Sequence, residues 1–372
     1  MITWRNGRVV SLGARWAGAQ ELTAETAEGV VRALAYPYLV GDVAVGDRVL
    51  LNVTALARGL GTGGYALVVA RPDALPPDLA PGPGHLVKGR YTPQQAMLLG
   101  VDEQESPYHE LLREADDLAG LPVVVADLHS AVPAIVAGAR WSATVAGRPL
   151  PRVAYVMTDG GALPAWFSRT VATLREAGWV EACVTVGQAF GGDLEAVTVH
   201  TGLLASRLVV GADLVVVAQG PGNLGTGTRW GFSGVAVGDA LNAASVLGGR
   251  AVAALRVSGA DPRERHHGIS HHSLTAVGRV ALAPTDVVVT SAGSGGEADD
   301  RARLRALVRE QALALCRPSG RHSLVEIDVE PGIEAALAST PVRLSTMGRG
   351  LDVDPEAFIS SAVAGVHAER LR

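Results

Sequence analysis

The feature that most constrains this chain is a change of period near residue 84. Before it, apolar and polar residues alternate in short stretches: Ile2–Leu12, Arg15–Ala24, Val30–Tyr36 and Tyr65–Ala70. Turn signals separate them, including Val45-Gly46-Asp47 and Gly61-Thr62-Gly63-Gly64. Many short strands joined by glycine turns predict a small barrel or sandwich. After it, seven Val-rich runs appear at 123–126, 153–157, 182–186, 214–218, 252–257, 287–290 and 325–329. Stretches with helical spacing alternate with them, at 107–119, 131–140, 162–177, 193–208, 233–247, 298–316 and 355–371. Near-continuous apolar strands alternating with helices specify a mostly parallel, doubly wound α/β sheet covered on both faces.

Between the two regimes, residues 72–84 hold five prolines and two glycines, the composition of a stiff linker. The expected organisation is therefore α/β, with a small β-barrel-like domain over 1–71, a linker over 72–84, and a Rossmann-like α/β domain over 85–372. Composition agrees. The chain is 48% hydrophobic, so it can fill a core, but only 4% aromatic, which argues against base-stacking platforms. Its net charge of −5 lacks the basic footprint of a nucleic-acid binder. No apolar run approaches the ~20 residues of a membrane span. Without a signal-like apolar stretch at the N-terminus, a cytoplasmic protein is expected. A homo-oligomer is the default expectation for a soluble protein.

In open parallel sheets, ligands bind beyond the carboxyl ends of the strands. Six strand ends here carry glycine or a small polar or ionisable residue: Asp127-Leu128-His129-Ser130, Thr158-Asp159-Gly160, Gly187-Gln188, Gln219–Gly231, Ser258-Gly259-Ala260-Asp261 and Ser291–Glu297. Turns need such residues for capping alone, but the repetition favours a pocket. Gly220, Gly222 and Gly225 match a dinucleotide fingerprint directly after a strand. Pro221 and the lack of an acidic residue ending the next strand count against that match. Asn223, Arg229 and Trp230 would then line or cover an anion site, unless Trp230 is core.

The segment Arg263–Ser273 holds His266, His267, His271 and His272. His267 and His271 are four apart, a spacing that puts two imidazoles on one metal in a helix. Gly268 interrupts such a helix, and Ser270 reads better as the N-cap of a helix that starts at His271 and runs through Val280. A divalent metal, direct ligand contact or acid–base work without metal, and a structural role all fit four histidines in seven residues. His129 is expected as the opposite wall of the pocket, with Asp127 or Asp159 orienting or ligating. Lys88, the only lysine, would contact a phosphate, act as a base or sit exposed without a role. Cys183 and Cys316 lie in apolar contexts and read as buried, inert thiols.

Pro83–Pro93, Val101–Pro107, Asp127–Ser130 and Gly220–Thr228 together resemble a bacterial family, frequent in actinobacteria and classed as a domain of unknown function. The resemblance spans nearly the whole chain. It implies a bacterial cytosolic protein and supplies no activity, so no functional residue carries over. It draws attention to the polar, irregular stretch 83–107.

The function expected from the residues is an enzyme acting on a small anionic metabolite. His129, His271, Asp127 and Asp159 would be its catalytic groups. Gly220, Gly222, Asn223, Gly225, Arg229, Lys88, Gln188 and Ser291 would hold the ligand. His266, His267, His271 and His272 would bind any metal. The alternatives are a metabolite-binding or regulatory module and a dinucleotide-dependent oxidoreductase.

Overall fold

The structure is a computed structural model. It describes residues 1–372 except 62, 79, 81, 292–299 and 319. Five strands, β1 (Trp4–Trp16), β2 (Ala19–Thr26), β3 (Gly29–Ala35), β4 (Arg48–Asn52) and β5 (Ala66–Ala70), close into a barrel in the order β1-β2-β3-β5-β4. One short helix, α1 (Pro37–Val40), caps it. The alternation seen in the sequence puts Leu22, Ala24, Val49, Leu51, Ala66 and Val68 inside. Closure leaves no open sheet edge.

The barrel rests on the rest of the molecule through Trp166. Its backbone oxygen accepts from Trp16 Nε1 at 2.7 Å, and its ring contacts those of Tyr36, Tyr38 and Phe190. The turn at Gly18 (φ 79°) makes this approach feasible: a Cβ there would lie 2.0 Å from the Trp166 ring.

A small hairpin, β6 (Leu86–Lys88) and β7 (Ala96–Leu98), and a single helical turn, α2 (His109–Leu112), lead into the main sheet. The helix expected over 107–119 is thus mostly irregular. The sheet strands are β8 (Pro122–Ala126), β9 (Val153–Thr158), β10 (Ala182–Thr185), β11 (Leu194–Glu195), β12 (Leu214–Gln219), β13 (Arg250–Ala254), β16 (Asp286–Thr290) and β17 (Ser323–Ile327). They run in the order β11-β10-β9-β12-β8-β13-β16-β17, all parallel. Two further strands, β14 (Val257–Ser258) and β15 (Gly268–Ile269), form a separate antiparallel pair. The single run expected over 252–257 therefore splits between two sheets.

On one face lie α3 (Val132–Val145), α4 (Arg169–Glu176), α9 (Ile333–Ala338) and α10 (Pro355–Arg370); on the other lie α5 (Val199–Leu208), α6 (Val237–Val246), α7 (His271–Thr275) and α8 (Asp300–Cys316). The chain steps outward from β8 to β11 beneath α3 and α4, then returns through β12 to β13 beneath α5 and α6. Right-handed crossovers require the helices to change face when the direction of travel reverses. The reversal makes the ends of β12, β8 and β13 a topological switch point, where a ligand crevice forms. Helix α9 was not anticipated. Neither was the hairpin of β18 (Ser345–Thr346) and β19 (Arg349–Gly350). The stretch 193–208 begins as β11 and turns helical only after Thr198, whose hydroxyl caps α5.

Glycine seats the central helices. A Cβ on Gly138 of α3 would fall 2.0 Å from the Ala362 carbonyl oxygen, and one on Gly365 of α10 would fall 1.9 Å from that of Ile135. The two backbones touch at these points, which fixes α3 directly behind the switch point. No helix among the described residues is long and apolar enough to cross a membrane.

Candidate functional site

Asp127, the first residue beyond β8, is buried at the switch point. Its Oδ2 lies 3.2 Å from His272 Nδ1 and 3.6 Å from Arg256 Nη1. Arg256 follows the end of β13, the neighbouring strand. Phe232 stacks on the His272 ring, with centroids 3.9 Å apart and planes at 4°. Space for the carboxylate comes from Gly234, where a Cβ would sit 1.6 Å from Asp127 Oδ1.

The histidines reach this point because the chain after β13 folds back on itself. β14 pairs with β15, and the intervening residues 259–267 form the loop. At Gly268 the backbone takes φ 70°, and a Cβ would meet Gln311 at 2.5 Å. Both constraints favour glycine. Ser270 then caps α7 by accepting from His272 N, as its sequence position predicts. His266 sits before the turn, and His271 and His272 open the helix. Their ring nitrogens converge, one from each residue, with all three atoms within 4.8 Å of one another. His267 is exposed and outside this trio. The four-residue spacing of His267 and His271 thus misidentifies the pair, because positive φ at Gly268 replaces the helix that the spacing assumes.

The second layer is specific. His266 Nδ1 is 2.7 Å from Ser270 Oγ. His272 Nδ1 lies between Asp127 Oδ2 at 3.2 Å and Arg256 Nη1 at 3.3 Å. Unprotonated, Nδ1 accepts from Arg256; protonated, it donates to the Asp127 carboxylate, the only acceptor of the two. The second tautomer leaves the Nε2 lone pair of His272 available. Nε2 of His271 is buried with no partner among the described residues. Burial, with the neighbouring Arg256 and Arg263 guanidinium groups, holds His266 down at about 3. Burial and the neighbouring His272 lower His271 as well. Both imidazoles are therefore neutral near pH 7, the form that ligates a metal or accepts a proton.

A narrow pocket holding Asp127, Arg256, Ser258 and Arg349 opens onto a wider cleft of about 260 Å³; the two share Leu128, Ser130 and Thr346. The cleft runs between Gln219–Asn223 and Arg343–Met347, the latter on the β18–β19 hairpin. Arg343 is exposed at its rim. Arg349 is held by Asp354 (3.1 Å) and Asp261 (3.2 Å), and Arg263 secures Asp261 bidentately. These pairs hold Asp261 well below the usual carboxylate range.

Residues 32–365 match the model of a protein family of unknown function, DUF3866. The chain belongs to this family. No curated protein matches it. In this DUF3866 chain, the remaining residues singled out from the sequence fall outside the histidine cluster. His129 has both nitrogens engaged, Nδ1 with the Tyr155 hydroxyl at 2.9 Å and Nε2 with Ser168 Oγ at 2.7 Å. Burial lowers it to about 4. It borders the cleft but touches none of the three clustered histidines.

Lys88 is fully buried, neither an anion contact nor an exposed residue without a role. Its ammonium donates to the carbonyls of Thr185, Ala189 and Ala196 at 2.8–3.0 Å and pairs with Glu195 at 2.9 Å. Asp159 is exposed and accepts from Gln188 N at 2.9 Å, while Gln188 Oε1 accepts from Arg90 N. Ser291 donates to Asp328; the rest of its glycine turn lies outside the described residues. Both cysteines are buried, as read.

The glycine-rich loop behaves unlike a dinucleotide fingerprint. Gly220 packs against the loop after β9, where a Cβ would lie 2.4 Å from the Ala162 carbonyl oxygen. The chain then makes an exposed excursion, closed by hydrogen bonds between Leu224 and Ser233 and between Thr226 and Gly231. Gly222, Gly225, Arg229 and Trp230 all lie on this exposed stretch. The next helical turn starts only at Ser233 and α6 at Val237, so no helix N-terminus faces the glycines. Asn223 accepts from Ser233 Oγ at 2.9 Å and lines the cleft.

Sequence reasoning gave no site role to Arg256, Phe232 or Arg343. Arg256 carried a signal, an arginine at a strand end. Phe232 carried none, since its stacking on His272 is a contact between distant segments.

Proposed function

We propose that this protein is an enzyme acting on a small anionic metabolite, with its chemistry at the histidine cluster and its ligand in the adjoining cleft. One observation carries this reading: three of the seven buried side-chain polar atoms that lack a partner among the described residues lie at the switch point. Asp127 Oδ1, Gln219 Oε1 and His271 Nε2 are all buried without a partner among the described residues. Each such atom costs about 1–3 kcal/mol when nothing binds it. Buried polar groups in folded proteins are otherwise paired, and strain of this kind gathers where ligands bind.

The anionic class follows from the lining. Arg343 at the rim of the cleft and Arg256 in the narrow pocket beside it offer positive charge, and Ser130, Thr346 and Asn223 offer hydroxyl and amide groups. A cleft of about 260 Å³ suits a ligand of metabolite size. His271, with a lowered pKa and a bare nitrogen, supplies acid–base chemistry or a metal ligand, and Asp127 orients His272.

The test is a thermal-shift screen of the full chain against small carboxylates and phosphates, repeated with Arg343→Ala. Hits are then incubated with the protein and analysed for conversion. Stabilisation by one class, weakened in the variant and accompanied by turnover, supports the proposal. A hit that is bound and returned unchanged means a binding module instead. No stabilisation by any anion overturns the assignment.

A further inference from the structure

We infer that His266, His271 and His272 form a binding site for one divalent transition metal ion, with Asp127 holding His272 from behind. The inference deepens the function proposed above and rests on it only for the ion's purpose, since the geometry stands alone.

Three independent features point to a metal rather than to a packed histidine cluster. First, three imidazole nitrogens from one short segment lie within 4.8 Å of one another. A tetrahedral ion with bonds near 2.0 Å holds its nitrogens about 3.3 Å apart, so the trio draws together when the ion binds. Second, the far sides of the rings are tied down. His266 Nδ1 is held by Ser270 and His272 Nδ1 by Asp127. A ligating histidine characteristically gives its other N–H to a carboxylate or another acceptor, which fixes the tautomer and raises its basicity. Third, His271 Nε2 is buried and unpartnered, a costly arrangement that a coordinate bond removes.

The donor set identifies the ion. Neutral imidazoles select zinc, cobalt, nickel or copper, whereas magnesium and calcium require oxygen. Three protein ligands leave at least one coordination position open, as in catalytic rather than structural zinc sites. Asp127 offsets the charge of Arg256 beside the site, so the ion does not face an uncompensated cation. Arg256 is then placed to hold an anionic group that approaches the open position.

The experiment uses the full chain stripped with a chelator and titrated with Zn²⁺ by calorimetry, with Co²⁺ followed by its visible spectrum and Mg²⁺ as the control. One Zn²⁺ per chain, an intense four-coordinate Co²⁺ spectrum and no Mg²⁺ binding are expected. His271→Ala should weaken Zn²⁺ binding by at least 100-fold. Asp127→Asn should weaken it by about 10–100-fold. His267→Ala, at an exposed position beside the site, should leave it unchanged. Circular dichroism on each variant verifies folding. Absence of stoichiometric binding by the wild-type chain, or equal losses in His267→Ala and His271→Ala, overturns the inference. If zinc fails to bind while anions still stabilise the chain through Arg343, only the metal is lost. Zinc binding without any anion effect removes the proposed substrate class instead.

Discussion

Two of the buried ionic centres, one at the edge of the sheet and one at its switch point, are built on opposite rules. At the edge, Lys88 and Glu195 are saturated. The ammonium has three carbonyls and a carboxylate, and the carboxylate also takes Thr185 Oγ1 and Gly191 N, each at 2.7 Å. At the switch point, Asp127, Arg256 and the histidines are packed as tightly but leave a carboxylate oxygen and an imidazole nitrogen bare. Burial and charge alone therefore do not mark a site. The saturated centre holds β10 and β11 together, and the unsaturated one at the switch point has bonding capacity left over beside a cleft.

The sharpest way to break this contrast is to replace each centre with apolar groups of similar size. Lys88→Met should cost about 3–5 kcal/mol in urea unfolding, because it strands Glu195 in the interior. The double variant with Glu195→Met should recover only the part due to the stranded carboxylate, because the carbonyls of Thr185, Ala189 and Ala196 still lose their donor. A neutral single variant would return Lys88 to the list of candidate ligand contacts.

Gly234→Ala comes next. A methyl placed 1.6 Å from Asp127 Oδ1 must push the carboxylate aside, at about 1–3 kcal/mol for overpacking, and should also weaken zinc binding. Unchanged zinc affinity with the stability loss intact would mean that Asp127 does not support His272.

His129 lies between the extremes, saturated yet neutral. Its folded pKa, lowered to about 4 against an ordinary 6.5, means that the unfolded chain binds the proton more readily. Its contribution is thus complete above about pH 6.5 and is lost as pH falls towards 4. Unfolding free energy measured from pH 7 to 4 should decline, and the decline should shrink in His129→Gln. An identical slope in the variant would locate the linkage elsewhere.

The smallest effect is expected for His271→Leu. Removing a buried nitrogen that has no partner relieves the cost of its burial, about 1–3 kcal/mol, offset in part by the changed side-chain shape, so metal-free stability should hold or rise slightly. The stabilisation gained from added zinc should vanish. A large loss in the metal-free variant would make His271 a structural residue and erase the contrast.

How much of this could be read from the sequence depended on the range of the contacts involved. The Val-rich runs specified the parallel sheet because strands buried on both faces leave no polar positions, and their ends led to Asp127 and the histidines. Ser270 was legible as a cap because capping is local. The burial of Lys88 was not: the polar run around it reads as an exposed loop, and its four partners come from residues 185–196. The choice of His266 over His267 hinged on one positive φ at Gly268. The glycine loop misled for a similar reason, because its spacing matched a motif while its backbone turned away from any helix.

The burial of Lys88 has a practical consequence. It is the only lysine, and Cys183 and Cys316 are buried as well. While the native fold lasts, amine-directed reagents reach no ε-amino group and thiol-directed reagents reach no sulfur. Covalent labelling of either kind therefore reports opening of the structure. Lys88 reports the edge at β10 and β11, Cys183 the interior of β10, and Cys316 the end of α8, so three residues can follow how the sheet comes apart.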